Sequence, residues 1–135
     1  MEPTLLALAC LSLNVYHEAR GEPDTGQLAV AYVTLNRAWR SNTDVCDVVV
    51  EPYQFSWTTG GVMMRTNGWT LMPHMVPTDV KALEKAVRIA ELAMARKVTD
   101  PTVGALFYHA DYVSPSWKSR LTEIGAIGQH VFYHH

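Results

Sequence analysis

His17-Glu18-Ala19-Arg20-Gly21-Glu22 closes a mostly apolar run, residues 5–16, and sets where the first helix ends. Leu5, Leu6, Leu8, Ala9, Leu13 and Tyr16 cover much of a helix surface, so this helix reads as central. Pro3 suits its first turn, where a missing N–H is no loss. Gly21 and Pro23 stop it. Glu18 then sits at the edge of buried surface, where a carboxyl either finds a partner or keeps its proton to higher pH. A carboxyl protonated near neutral pH is what a general acid needs.

Asp24-Thr25 offers a cap for a second helix over residues 27–40, with Leu28, Ala31, Leu35 and Trp39 on one stripe. Residues 45–50 fit either a strand or a short helix. Residues 53–77 read as irregular, and an insert of that length in a small domain is usually functional or mobile. Thr78 or Asp79 caps the clearest helix, residues 80–97, where Leu83, Val87, Ala90 and Met94 repeat at helical spacing. Residues 105–109 read as a strand and Ser114-Pro115-Ser116-Trp117 as a turn. Residues 121–133 hold two extended pieces, with Gly125 and Gly128 marking a tight turn or bulge. The outline is one α+β domain over residues 1–135: three helices, then a small antiparallel sheet in the C-terminal part.

At 135 residues, 48% hydrophobic and 18% charged, the chain has a globular composition. A formal charge of −2 gives no electrostatic footprint for nucleic acid or anionic lipid. No run of about 20 apolar residues is present for a membrane span. The start carries Glu2 rather than a basic region, so no export signal is read, and a chain acting outside the cell is expected to leave by another route or to be trimmed. A monomer is expected. Whether His134-His135 are native residues stays open. Cys10 and Cys46 read as buried thiols, with a single bridge as the alternative.

Several chemistries fall away. His17-Glu18 begins like the zincin pattern His-Glu-x-x-His, but Gly21 occupies the second ligand position. His74, His109, His130, His134 and His135 are scattered, so no metal or other cofactor is expected. No Gly-x-Ser-x-Gly elbow occurs, and Thr59-Gly60-Gly61 lacks the lysine of a phosphate loop. Glycoside cleavage fits better, since it needs a carboxylic acid and usually a second carboxylate. Glu22 lies four residues after Glu18 and would share its helix face, the wrong geometry for flanking a sugar. Glu22 is therefore given a structural role, pairing Arg20 or Arg37 or bonding a loop N–H. The competing reading of Glu18 is a helix-end salt bridge to Arg20 or Arg37, which composition alone favours. Tyr53, Phe55, Trp57, Trp69, Tyr108, Tyr112 and Trp117 lie outside the helical stripes. They suit a sugar-stacking surface or, equally, plugs over a small core.

Five blocks together resemble the SleB-type cell-wall hydrolases, the family of spore-cortex lytic enzymes and phage endolysin catalytic domains. They are residues 17–22; Gly26 to Val33 with Asn36-Arg37; Cys46-Asp47-Val48-Val49 with Gln54-Phe55-Ser56-Trp57; residues 104–109 with Trp117; and residues 127–133. The resemblance spans nearly the whole chain. It implies a lysozyme-like helical core and an enzyme that cuts peptidoglycan glycan strands between N-acetylmuramic acid and N-acetylglucosamine as a lytic transglycosylase. The catalytic glutamate it implies is Glu18. Gln54, Ser56, Tyr108 and His109 are then expected to bond the sugars, and Phe55, Trp57 and Trp117 to stack on them or wall the cleft. Glu22 and Arg37 are expected to be structural near the site. A muramidase would add a water-activating carboxylate, with Asp47, Glu51, Asp111 and Glu123 as candidates. A glycan-binding virion protein would keep the aromatics without depending on Glu18.

Overall fold

The computed structural model describes residues 4–51, 55–58, 63–65, 68–70 and 73–135, with backbone alone for 56, 63–65 and 68–70. Helix α1 is Leu5–Ala19, and Thr4 caps it by accepting the Ala7 N–H at 2.9 Å. Helix α2 is Asp24–Ser41. It starts three residues before the expected boundary because Asp24 and Thr25 lie inside the first turn, not at the cap; Pro23 precedes it without a side-chain cap. Asp24 still favours that end, since a negative charge complements the helix dipole. Asn42, left-handed at φ 54°, closes α2 by donating its N–H to the last carbonyls.

The ambiguous stretch is a short helix, α3, Val45–Val49. An antiparallel pair, β1 (Met63–Arg65) and β2 (Gly68–Thr70), falls within the segment expected to be irregular. Helix α4, Val80–Met94, is capped by Asp79, whose carboxylate accepts the Ala82 N–H. It ends before Lys97, with Arg96 at positive φ. Strands β3 (Phe107–Ala110), β4 (Thr122–Ile127) and β5 (His130–His134) form an antiparallel sheet in the order β3-β5-β4. Register slips between Glu123 and Gly125, and Gly128 at φ 59° turns the chain from β4 into β5, as the two glycines suggested. The turn at 114–117 runs into a 3-10 helix, Ser116–Arg120. The architecture is the expected α+β helical core with a small sheet.

Over its middle, helix α2 is surrounded on every side, more fully than α1. Residues 29–35 are all buried, whereas Leu5 of α1 is 86% exposed and Leu6, Leu8 and Leu13 are only partly covered. The reason is side-chain size. Alanines at 29, 31 and 38 let neighbours approach from several directions. Ala31, Tyr32, Leu35 and Ala38 join Leu11, Val15 and Tyr16 in the helical core. Ala29 and Val33 face Ala105 and Phe132 in a second core under the sheet. So α2 is the wall shared by helices and sheet, and α1 docks against it.

The cysteines correct the favoured reading: Cys10 and Cys46 are bridged, with no free thiol among the described residues. Both are buried, as expected, but α1 and α3 pack with the two positions face to face. Spacing along the chain cannot reveal that juxtaposition. Among the described residues no helix is long and apolar enough to cross a membrane.

Candidate active site

Glu18 lies in the last turn of α1, half-buried, where the helix meets β3. The Tyr108 hydroxyl donates to its Oε1 at 2.6 Å. Burial raises the Glu18 pKa above the ordinary 4.5, and the Tyr108 hydrogen bond pulls in the opposite direction. Neither arginine offers the salt bridge considered for Glu18. Arg20 donates to the Tyr16 hydroxyl at 2.7 Å, and Arg37 pairs with Glu51 at 3.1 Å. Burial lowers the Arg37 pKa, and Glu51 opposes that.

Glu18 opens onto a groove of about 1040 Å³. Phe55 comes from the loop after α3, and Phe107, Tyr108, His109 and Ala110 from β3. Tyr112, Val113, Trp117, Arg120 and Leu121 come from the following segment, and His17, Val33, Arg37 and His130 complete the lining. The groove thus runs between the two segments that the aromatic residues indicated. Glu18 is the one carboxylate among its described lining residues. The sequence between Glu51 and Asp79 contains no Asp or Glu, so that segment has no second carboxylate to offer. Asp47, Asp111 and Glu123 are exposed and Glu51 is on Arg37; none of the four lines the groove.

The other expected site residues divide. Phe55, Tyr108, His109 and Trp117 line the groove. Tyr108 gives its hydroxyl to Glu18, which leaves it a poor donor to sugar. His109 donates from Nδ1 to the Ala110 carbonyl at 2.7 Å, so its Nε2 accepts from the Tyr133 hydroxyl at 2.8 Å. Trp117 packs on Phe107, His109 and Tyr133. Trp57 is 7% exposed and is not among the described lining residues. Its indole N–H donates to Asn14 Oδ1 at 2.8 Å, and its ring stacks on His17 at 4.6 Å. It is a floor beneath the groove because an indole with a buried acceptor packs better inside than at a rim. Gln54 and the Ser56 side chain lie outside the described residues.

Glu22 is buried, and it pairs with neither Arg20 nor Arg37. Its Oε1 accepts the Gln129 N–H at 2.8 Å and lies 2.9 Å from His130 Nδ1. The loop N–H reading of Glu22 is therefore the one the structure bears out. The helix ends at Ala19, with Arg20 as its cap, so Glu22 leaves the face of Glu18 and points under the β4–β5 turn. Burial lowers the His130 pKa, and Glu22 counteracts it. Arg37 lines the groove with its guanidinium over the Phe107 ring at 5.5 Å.

Sequence reasoning missed His17, Phe107, Arg120 and His130 as groove residues. The sequence marks His17 only as a metal-ligand candidate; in the fold its Nε2 donates to the Met75 carbonyl at 2.7 Å. His130 stood in a matching block, so its neighbourhood was marked without its role. Among the described residues, no group of three or more His, Cys, Asp and Glu could hold a metal ion.

The sequence profile of the family described as "Cell Wall Hydrolase" matches residues 21–133. The spore cortex-lytic enzyme of Bacillus cereus is 33% identical over 121 residues, 87% of this chain and 40% of that protein. The spore cortex-lytic enzyme of Halalkalibacterium halodurans is 35% identical over 122 residues, 87% of this chain and 32% of that one. The chain thus spans well under half the length of these curated relatives. Among solved structures, the catalytic domain of the germination-specific lytic transglycosylase SleB from Bacillus anthracis superposes with a TM-score of 0.74 and 29% identity, covering 98% of this chain and 97% of that one. The catalytic domain of the Bacillus cereus SleB protein gives 0.75 and 29%, covering 98% and 93%. The profile match begins three residues beyond Glu18, whereas the structural matches span almost the whole chain.

Proposed function

The chain belongs to the cell wall hydrolase family, and from that premise we propose that it cleaves peptidoglycan glycan strands as a lytic transglycosylase with Glu18 as acid and base. The observation that carries this reading is Glu18, the one carboxylate among the described groove residues, half-buried and hydrogen-bonded to Tyr108. Burial favours the protonated form, the form an acid must start from.

Glu18 donates its proton to the glycosidic oxygen as the bond to C1 of N-acetylmuramic acid breaks. The N-acetylglucosamine leaves as an alcohol, and C1 becomes oxocarbenium-like. Glu18, now a carboxylate, removes the proton from the C6 hydroxyl of the same muramic residue. The C6 oxygen bonds to C1 and closes a 1,6-anhydro ring. Glu18 ends protonated, and no water is consumed. One carboxyl suffices for this sequence. A muramidase needs a second group to activate water, and none of Asp47, Glu51, Asp111 and Glu123 lines the groove.

Trp117, Phe107 and Tyr112 offer ring faces for sugars. The bridged Cys10 and Cys46 suit an oxidising compartment outside the cytoplasm, where the cell wall lies. The test is Glu18→Gln, nearly isosteric but unable to act as an acid. Turnover of purified peptidoglycan should fall by at least about 10²–10⁴-fold, the usual range of acid catalysis, with the fold intact. A folded variant that still lyses walls would end the proposal.

A further inference from the structure

We propose that Tyr108 is the positioning residue of Glu18, and that Glu22 and His130 in turn hold Tyr108 in place. The geometry runs as one connected chain. The Tyr108 hydroxyl donates to Glu18 Oε1 at 2.6 Å. The His130 ring meets the Tyr108 ring edge-on, 5.0 Å away at 76°. His130 Nδ1 lies 2.9 Å from Glu22 Oε1, the same oxygen that accepts the Gln129 N–H. The β4–β5 turn closes down on this carboxylate: a Cβ at Gly128 would stand 2.8 Å from Glu22 Oε2. The two glutamates on either side of Gly21 are thus both tied to the sheet. Glu18 reaches β3, and Glu22 reaches the turn that sets β5, the strand paired with β3.

This arrangement fixes which oxygen does the chemistry. Oε1 accepts from the phenol, so the acid proton sits on Oε2, the oxygen that can face a substrate. When Glu18 gives up that proton, the phenol bond becomes charge-assisted and stronger. Tyr108 thereby stabilises the carboxylate that must next act as base. It remains a donor throughout, because burial and the nearby Glu18 hold its own hydroxyl well above the ordinary 10.0. The other charged or titratable side chains lining the groove with this pair are His17 on α1, Arg37 on α2, His109 on β3, Tyr112, Arg120 and His130 on β5. Among the described residues, only Tyr108 is hydrogen-bonded to Glu18; His17 bonds the Met75 carbonyl, Arg37 pairs with Glu51, and His130 lies against Glu22.

The inference rests on Glu18 being the acid, and its test separates the two. Tyr108→Phe, Glu22→Ala, Glu22→Gln and Glu18→Gln are assayed on purified peptidoglycan across pH, with melting temperatures taken in parallel. In Tyr108→Phe, kcat should fall about 10- to 100-fold, the scale of one hydrogen bond to a charged group, with KM little changed. The basic limb of kcat/KM should move to higher pH, because the carboxylate loses its donor. Glu22→Ala should move that limb the same way by less, and Glu22→Gln, which keeps an acceptor for Gln129, should restore most of it. In the wild type, the Tyr108 hydroxyl proton should appear as a slowly exchanging NMR resonance that shifts as Glu18 titrates. An inactive Glu18→Gln beside a Tyr108→Phe whose basic limb stays in place would overturn this inference and leave the acid assignment standing. A Tyr108 resonance indifferent to Glu18 would also overturn it. A Glu22→Ala that melts lower with an unmoved limb would remove Glu22 from the chain. An active Glu18→Gln would instead remove the reading on which all of this rests.

Discussion

At the residue scale, Glu18 is a group that the fold tolerates at a cost. Its pKa is higher in the folded chain than in the unfolded one. The folded state therefore binds more protons between 4.5 and the folded pKa, and stability is lost as pH rises through that window. Glu18→Gln removes this dependence. At neutral pH the variant should melt at a higher temperature than the wild type, and the gain should vanish below 4.5. Thermal unfolding at several pH values measures it; a destabilised variant at neutral pH would mean that the carboxylate is held by more than Tyr108. His130 has the opposite sign. Its folded pKa is lowered, so its contribution is present above 6.5 and is lost as pH falls below that value. Gly128 makes a sharper structural prediction. Alanine there meets the Glu22 carboxylate and needs positive φ, so Gly128→Ala should cost about 1–3 kcal/mol, read by denaturant unfolding. The motif showed which residues were chemical but not which way they pointed. Glu18 and Glu22 are four apart, and only the end of α1 at Ala19 separates their directions. An aromatic residue in a loop looks the same in sequence whether it faces a ligand or, as the Trp57 N–H does, an inner acceptor such as Asn14.

At the element scale, helices were legible wherever apolar spacing and caps agreed, as at Asp79 before α4. Residues 45–50 were not, because β-branched side chains favour strands while a helix of five residues is decided by packing. The centrality of α2 was hidden for a related reason: alanines signal close approach only once the neighbours are known. Two contacts organise the helices. The Tyr16 hydroxyl accepts N–H groups of Thr78 and Asp79 at 3.2 and 3.1 Å and so ties α1 to the start of α4. Tyr16→Phe leaves those donors and Arg20 without this acceptor, and should lower stability by about 1–3 kcal/mol. The Cys10–Cys46 bridge closes a separation of 36 residues between α1 and α3. In the chain-entropy account a loop of that size is worth about 4 kcal/mol, so the double serine variant, or reduction, should lower the melting temperature markedly. A chain whose melting is indifferent to reductant would show that the bridge is not formed in solution.

For the whole molecule, one helix end and one sheet edge meet across α2, and the groove between them gathers aromatic and cationic side chains around Glu18, the one acid among its described residues. The class of fold was legible from helices followed by alternating, glycine-punctuated strands. The strand order β3-β5-β4 was not, since a three-stranded sheet can pair its pieces in more than one way and only tertiary packing on Ala29 and Val33 selects among them. Two glycan chemistries lie open to a site of this kind, and they differ by one molecule of water. The direct test is mass spectrometry of the fragments released from purified peptidoglycan by the intact chain. A site with one carboxyl serving as acid and then base yields fragments ending in 1,6-anhydro-N-acetylmuramic acid. Fragments with free reducing ends, each heavier by one water, would contradict the account and call for a water-activating group that the groove as described does not contain.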